Sequence, residues 1–293
     1  MWSTYYAPAT LDEALELLAT HGEACRAMAG GTDLILELER GARSQHIVVD
    51  VSRIPGLDRI EVHDGVLSLG PLATHNQVAG DAAVLAGAYP LARACWQVGA
   101  PQIRNRATIA GNLITASPAN DTIPPLWALD ATVTLASKAR GTRTLSFAEF
   151  YKGVRRTAMA ADELLVRIDV PVLGPNERGT FLKLGLRQAQ AISLVNAAVV
   201  VEFAGEPGPA AVVRRARIAL GAVGPTPLRA EEAEASLEGT TLDREAMARA
   251  AALAARAARP ISDVRASAAW RRRIVEVLVG RALGVAAARA KGG

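Results

Sequence analysis

Cysteine is nearly absent from the 293-residue chain. Cys25 and Cys95 are its two thiols and stand seventy positions apart. They cannot supply the four thiolates of an iron–sulfur cluster, nor a disulfide framework. Histidine is almost as scarce. His21, His46, His63 and His75 form no HExxH and no i, i+4 pair, so no metal site is expected. Aromatics make up 4% of the chain, which leaves Ala, Val, Leu and Ile to build the core. Apolar runs such as residues 197–201 fall far short of the ~20 residues that span a bilayer, so no transmembrane segment is expected. Trp2-Ser3-Thr4-Tyr5-Tyr6 offers neither a basic nor an apolar leader region, and a cytoplasmic, reducing location is the expectation.

Half of the residues are hydrophobic and 21% are charged, which suits a packed core. The net charge of +4 is scattered. Its one tight cluster, Arg271-Arg272-Arg273, reads as a solvated helix face or a subunit contact, and no nucleic-acid partner is expected.

Along the chain, Thr10-Leu11-Asp12-Glu13 is a capping box, and Leu11, Ala14, Leu15 and Leu18 form one helical stripe that Gly22 ends. The loop at 29–33 opens a short helix that stops at Gly41, and 47–51 reads as a buried strand. The first fifty residues thus read helix, glycine loop, helix, strand. Asp64-Gly65 marks a hairpin. Residues 78–98 read as helix with Pro90 marking an interruption or a helix start, 99–125 as extended loops, and 132–136 and 164–170 as strands. Pro171 to Asn176 is the linker candidate, dividing residues 1–174 from 175–293. Beyond it, strands at 181–186, 196–203 and 212–220 precede helices at 230–237, 243–258 and 262–283, an α+β pattern. In the last helix Trp270, Ile274, Val277 and Leu278 share a face.

Three segments have the composition of a ligand site. Ala29-Gly30-Gly31-Thr32-Asp33 lets backbone N–H groups approach a pyrophosphate closely, or forms a plain turn with Thr32 or Asp33 as N-cap. It is not GxGxxG, and no strand clearly precedes it. Residues 108–121 concentrate small polar side chains within apolar sequence, and buried polar groups need partners. Asp121 there is placed to accept from ribose or ribityl hydroxyls, or to cap the helix start at Pro124-Pro125. Lys183 lies in an apolar strand and reads either as facing a cofactor edge or as an outward lysine. Arg104 and Arg106 flank the second segment as phosphate ligands, partner contacts, loop braces or plain surface.

Taken together, these segments closely resemble the FAD-binding (medium) subunit of the molybdenum hydroxylases. That group contains xanthine dehydrogenase, 4-hydroxybenzoyl-CoA reductase and aerobic CO dehydrogenase. The resemblance rests on Ala29-Gly30-Gly31-Thr32-Asp33-Leu34, Gln102-Ile103-Arg104-Asn105, Ala107-Thr108-Ile109-Ala110-Gly111-Asn112, Ala116-Ser117-Pro118, Ala222-Val223-Gly224-Pro225-Thr226-Pro227 and Ala266-Ser267-Ala268-Ala269-Trp270-Arg271. It implies an α+β chain: a two-part FAD-binding domain of the vanillyl-alcohol-oxidase (PCMH) type, then a smaller α+β domain of the CO dehydrogenase flavoprotein type.

By the same resemblance the FAD contacts are Ala27, Met28, Ala29, Gly30, Gly31, Thr32, Asp33, Leu34, Thr108, Gly111, Asn112, Thr115, Asp121, Leu165 and Lys183. No residue of this chain is expected to act as a catalytic acid or base. The implied partners are an iron–sulfur small subunit with [2Fe–2S] clusters and a large subunit with molybdopterin, assembled as a dimer of heterotrimers. The electrons pass to NAD, quinone or oxygen. Arg104 is then either a docking residue for the iron–sulfur subunit or a brace of its own loop. Two positions depart from the pattern: Ala110 replaces a glycine, and Ala191 replaces an aspartate. The alternative reading is a self-sufficient flavin oxidase of the same FAD fold.

Overall fold

In the computed structural model, which describes residues 2–208 and 210–289, the first fifty residues form β1 (Thr4–Tyr6), α1 (Leu11–His21), β2 (Cys25–Met28), α2 (Leu34–Glu39) and β3 (Ile47–Asp50). β3 lies between β1 and β2, parallel to both. The expected order therefore gains two strands, and one of them leads directly into the glycine loop. Neither carried a signal: β1 has three residues, and β2 reads Cys-Arg-Ala-Met without a β-branched side chain. Thr10 caps α1 by accepting from Glu13 N at 3.2 Å. The Glu13 carboxylate answers at Ala9 N (2.8 Å) rather than at Thr10, so the capping box is displaced by one residue.

β4 (Ile60–His63) and β5 (Val66–Leu69) turn at Asp64 and Gly65, both with positive φ, as a two-residue hairpin requires. The Ala-rich segment then breaks into α3 (His75–Gly80), α4 (Ala82–Gly87) and α5 (Tyr89–Gln97). Asp81 caps α4 through Ala83 N and Val84 N, and Pro90 occupies the first turn of α5. Residues 99–125 are not extended loops. They hold α6 (Pro101–Arg104), α7 (Ile109–Thr115) and part of α8 (Ile123–Ala128). Pro101, Pro124 and Pro125 sit in first turns, where the missing N–H is harmless and the fixed φ is already helical. There the prolines start helices rather than break them.

Next come β6 (Thr132–Ser137), β7 (Gly141–Ser146), α9 (Phe147–Phe150), the small hairpin β8 (Tyr151–Gly153) and β9 (Arg156–Thr157), and β10 (Glu163–Pro171). They complete an antiparallel sheet in the order β4-β5-β10-β6-β7. β10 pairs with β6 from Glu163 but with β5 only from Ile168, and its register shifts between Leu165 and Arg167. Residues 163–167 therefore present a strand edge that β5 does not cover.

The expected linker is packed. Leu173 N donates to Gly87 O at 2.8 Å, and Val172 presses on Gly87 so closely that an added Cβ would stand 2.8 Å from it. Beyond it β11 (Glu177–Leu184), β12 (Val195–Phe203), β13 (Val213–Gly221) and β14 (Leu228–Arg229) form an antiparallel sheet, followed by α10 (Glu231–Ala235), α11 (Arg244–Ala257) and α12 (Ala268–Arg289). Alternation along β12 fixes both faces. Ala198 and Val200 join the core built by the preceding helices, while Ala197, Val199 and Val201 pack with α11 and α12. The inward face of α12 is Val275, Leu278, Val279, Ala282 and Leu283; Trp270 and Val277 are exposed, contrary to expectation. Arg271 is buried rather than solvated, donating to Leu194 O (2.8 Å) and Asp263 Oδ1 (3.0 Å), while Arg272 and Arg273 remain exposed. No described helix is long and apolar enough to cross a membrane.

Candidate functional site

The β2–α2–β3 crossover carries residues 29–33 over the carboxyl end of the parallel strands, a usual ligand position in such units. Gly30 is forced to be glycine. A Cβ there would lie 1.9 Å from the Arg106 carbonyl oxygen, so the first loop rests directly on the backbone that enters the second. Gly31 has φ +74°, a conformation side chains rarely adopt, and a Cβ would meet Ile35 Cδ1 at 2.9 Å. Asp33 starts α2 without a side-chain cap, and Ile35 N in the first turn donates back to Gly31 O at 3.1 Å.

The second loop begins at Thr108, whose hydroxyl accepts from Gly111 N at 3.0 Å and caps α7. Ala110 is an ordinary helical residue, so its Cβ needs no special turn, and it lines the cavity described below. Asn112 is held from both ends: its Oδ1 accepts from Thr122 Oγ1 (2.6 Å) and its carbonyl from Asn120 Nδ2 (2.5 Å).

Between the loops lies a cavity of about 410 Å³, within the range of small-ligand sites. All of residues 27–34 line it, with Thr108, Gly111, Asn112 and Thr115 from the second loop and Leu165 from the uncovered edge of β10. The sequence had pointed to all of these. It had not pointed to Arg26, Glu37, Arg43, His75 or Arg155, which also line the cavity. Glu37 binds Arg43 Nε at 3.0 Å and the Arg155 guanidinium, tying the β8–β9 hairpin to α2 across the loops. Burial raises the Glu37 carboxyl, but these two arginines outweigh it and hold the group below its usual value. Asp33 goes the other way: burial and then Glu37 push it up. Burial and Arg43 lower the Arg26 guanidinium. Three arginines against two acids leave the wall suited to an anionic ligand.

Asp121 and Lys183 do not line the cavity. They pair with each other at 2.5 Å, with side chains 8% and 6% exposed. Lys183 also donates to Gln97 O (3.1 Å), and Asp121 accepts from Ser193 Oγ (2.5 Å) and Asn196 Nδ2 (3.0 Å). Burial raises the Asp121 carboxyl, against the pull of Lys183. The pair stands one residue behind the wall, since Asn120 and Val98 are cavity residues and neighbours of Asp121 and Gln97. Lys183 is thus neither an outward lysine nor a cavity group.

Arg104 takes the bracing role. It is buried, donates to Val98 O and Asn76 Oδ1 at 3.2 Å each, and lies 4.9 Å from the Trp96 ring centroid. Ile103, beside it, does line the cavity. Ala191 packs under Gly185, and Arg187 donates to the Ala189 and Gln190 carbonyls (2.9 and 2.7 Å).

The cavity fits FAD on its own chemistry. It has a glycine cradle that a Cβ would fill and a cationic excess.

Comparison with known proteins agrees. The FAD binding domain in molybdopterin dehydrogenase matches residues 2–173, and the CO dehydrogenase flavoprotein C-terminal domain matches residues 180–286. The chain is 34% identical over 247 residues to the nicotinate dehydrogenase FAD-subunit of Eubacterium barkeri, covering 83% of this chain and 82% of that one. It is 31% identical to the nicotine 6-hydroxylase medium subunit of Paenarthrobacter nicotinovorans, covering 97% of each. A chain of carbon monoxide dehydrogenase from Hydrogenophaga pseudoflava superimposes with a TM-score of 0.93 at 31% identity, covering 99% of this chain and 98% of that one. The chain therefore belongs to the family of FAD-binding medium subunits of the molybdenum hydroxylases, the oxidoreductases that include carbon monoxide and xanthine dehydrogenases.

Proposed function

We propose that the cavity between the two loops holds one FAD, non-covalently, and that the chain serves as the electron-transfer flavoprotein of a complex with an iron–sulfur small subunit and a molybdenum large subunit. The observation that carries this reading is the seating of Gly30 on the Arg106 carbonyl, which brings two loops 75 residues apart to one cavity. When bound, FAD supplies redox chemistry, taking electrons from the clusters and yielding them to an external acceptor such as NAD, quinone or oxygen.

The residues of this chain position that group rather than react. The glycines of the first loop leave room for the diphosphate, and Arg26, with Arg43 and Arg155 beside Glu37, gives that wall its cationic excess. The edge of β10 at Leu164 and Leu165, which β5 leaves unpaired and which lines the cavity, is the place for a planar ring. The similarity of one chain to relatives named for nicotinate, nicotine and carbon monoxide supports assigning substrate choice to the large subunit.

Co-expression with the small and large subunits tests the reading. The expected product is one co-eluting complex whose flavin bleaches anaerobically when the substrate of the large subunit is added. Bleaching of the isolated chain by an organic substrate would overturn it in favour of a self-sufficient oxidase.

A further inference from the structure

The second domain carries an arginine-rimmed groove that has no part in holding FAD. Along α11, Arg249, Ala252, Leu253 and Arg256 recur at i, i+3, i+4 and i+7 and so share one helix face. The other side of α11 holds the buried Ala246, Ala250 and Ala254. α12 runs close beside it: a Cβ on Gly280 would stand 3.8 Å from Ala251 Cβ, and Arg272 Nε donates to Ala258 O at 3.4 Å. The outer sides of the two helices enclose a groove of about 760 Å³. Its floor is Ala252, Leu253 and Ala255, small enough overall for another helix to come near. Its rim carries Arg249 and Arg256 from α11 and Arg272 and Arg273 from α12, against one acid, Glu276.

These guanidiniums are poorly neutralised. Arg273 makes no side-chain hydrogen bond or ion pair among the described residues. Arg256 meets Glu232 at 3.6 Å with the two side chains 70% and 80% exposed, a weak pairing. Arg249 donates to a backbone carbonyl, Ser236 O, at 3.1 Å. All four arginines are exposed, so a cationic rim surrounds an apolar floor. A second copy of this chain, meeting the groove about a twofold axis, would set these arginines against themselves. The last residues of the chain, Ala290-Lys291-Gly292-Gly293, bring a further cation rather than an acid. Charge complementarity calls instead for a helix that lays apolar side chains on the floor and carboxylates along the rim.

The position of the groove selects the source of that helix. β12 turns one face to the core of the first domain and the other to α11 and α12, so the sheet stands between the groove and the first domain. The iron–sulfur subunit has to approach the flavin cavity in the first domain to deliver electrons, which leaves the groove to the other subunit. We propose that the groove between α11 and α12 docks an acidic amphipathic helix of the large subunit. The assignment rests on the reading of this chain as one subunit of such a complex. Arg272 and Arg273 are then the partner-facing part of the arginine run, while the buried Arg271 anchors the start of α12 to Leu194 O and Asp263.

The test purifies the full chain with its co-expressed small and large subunits over a series of NaCl concentrations. Arg256→Glu combined with Arg273→Glu should weaken affinity for the large subunit by about a hundredfold at low salt, because like charges then face each other. Flavin content and thermal midpoint should stay at the wild-type level. Arg281→Glu makes the same kind of replacement on an exposed part of α12 outside the groove and should assemble normally. Ala252→Trp, which fills the groove without altering charge, should also release the large subunit. Amides of residues 249–256 should exchange more slowly in the wild-type complex than in the free chain. Wild-type affinity for the large subunit in the double variant overturns the proposal, as does loss of the small subunit alone or equal damage from Arg281→Glu. A wild-type chain that binds neither subunit overturns the functional reading instead.

Discussion

Replacing Gly30 with alanine is the sharpest perturbation of the loop junction. The new Cβ would stand 1.9 Å from the Arg106 carbonyl oxygen and 2.7 Å from its carbon, where ordinary contact begins near 3.4 Å. Both neighbours are backbone, so no side chain can swing away, and the loops must separate by about 1.5 Å. Overpacking of this kind costs about 1–3 kcal/mol of stability. The larger effect falls on the ligand, because hydrogen bonds to charged groups, at about 1.5–3 kcal/mol each, require correct placement. Loss of two such bonds to a diphosphate weakens FAD by about 3–6 kcal/mol, on the order of 10²–10⁴-fold. The assay is flavin content after purification, FAD affinity by fluorescence, and a thermal melt to confirm folding. Gly41→Ala is the control: Gly41 has a φ of +65° that alanine rarely adopts, but an added Cβ meets nothing within 4 Å. It should lose some stability and bind FAD normally. A folded Gly30→Ala chain with wild-type FAD affinity would refute the reasoning.

Asp121→Ala strands Lys183, whose side chain is only 6% exposed, and should destabilise the chain by about 3–5 kcal/mol in denaturant melts; a loss below ~1 kcal/mol would contradict a buried pair. The double replacement Asp121→Leu with Lys183→Met should recover most of that loss. Glu37 titrates below its usual value in the folded chain, so its contribution is present above the ordinary carboxylate pKa of ~4.3 and fades as pH falls through the lower folded value. Melts of wild type and Glu37→Gln should therefore converge on acidification, and a pH-independent gap would contradict the triad. Acid precipitation should release all the flavin and leave a colourless pellet. A yellow pellet would point to a covalent bond and contradict the account.

Much of the cavity was legible in the sequence because glycine loops and dense small polar residues are local signals. Residues 27–34 and 108–115 carry their chemistry in adjacent positions. What stayed hidden is non-local. The Asp121–Lys183 pair joins α8's approach to β11 across 62 positions, and no spacing rule announces that two charges will neutralise each other. Arg155 reaches Glu37 across 118 positions from the tip of a hairpin too short to show alternation. His75 could have been noticed as a lone imidazole directly after an apolar run and inside a capping box. The fold was misread where one residue has two uses. Residues 99–125 read as extended loops partly because of their prolines, yet Pro101, like Pro124 and Pro125, stands in a first helical turn, and Arg271 read as surface because it stands among exposed arginines. The α12 face was misplaced because its Ala-rich sequence leaves the apolar stripe broad and the boundary residues Trp270 and Val277 ambiguous.

A structure of the FAD-loaded chain within its complex tests the central claim most directly, through the position of the diphosphate. The account predicts phosphate oxygens within hydrogen-bonding distance of backbone N–H groups from both the 29–33 loop and the segment beginning at Thr108, with the Gly30–Arg106 contact intact between them. A diphosphate held by only one of the two loops, or lying outside the cavity they share, would contradict it.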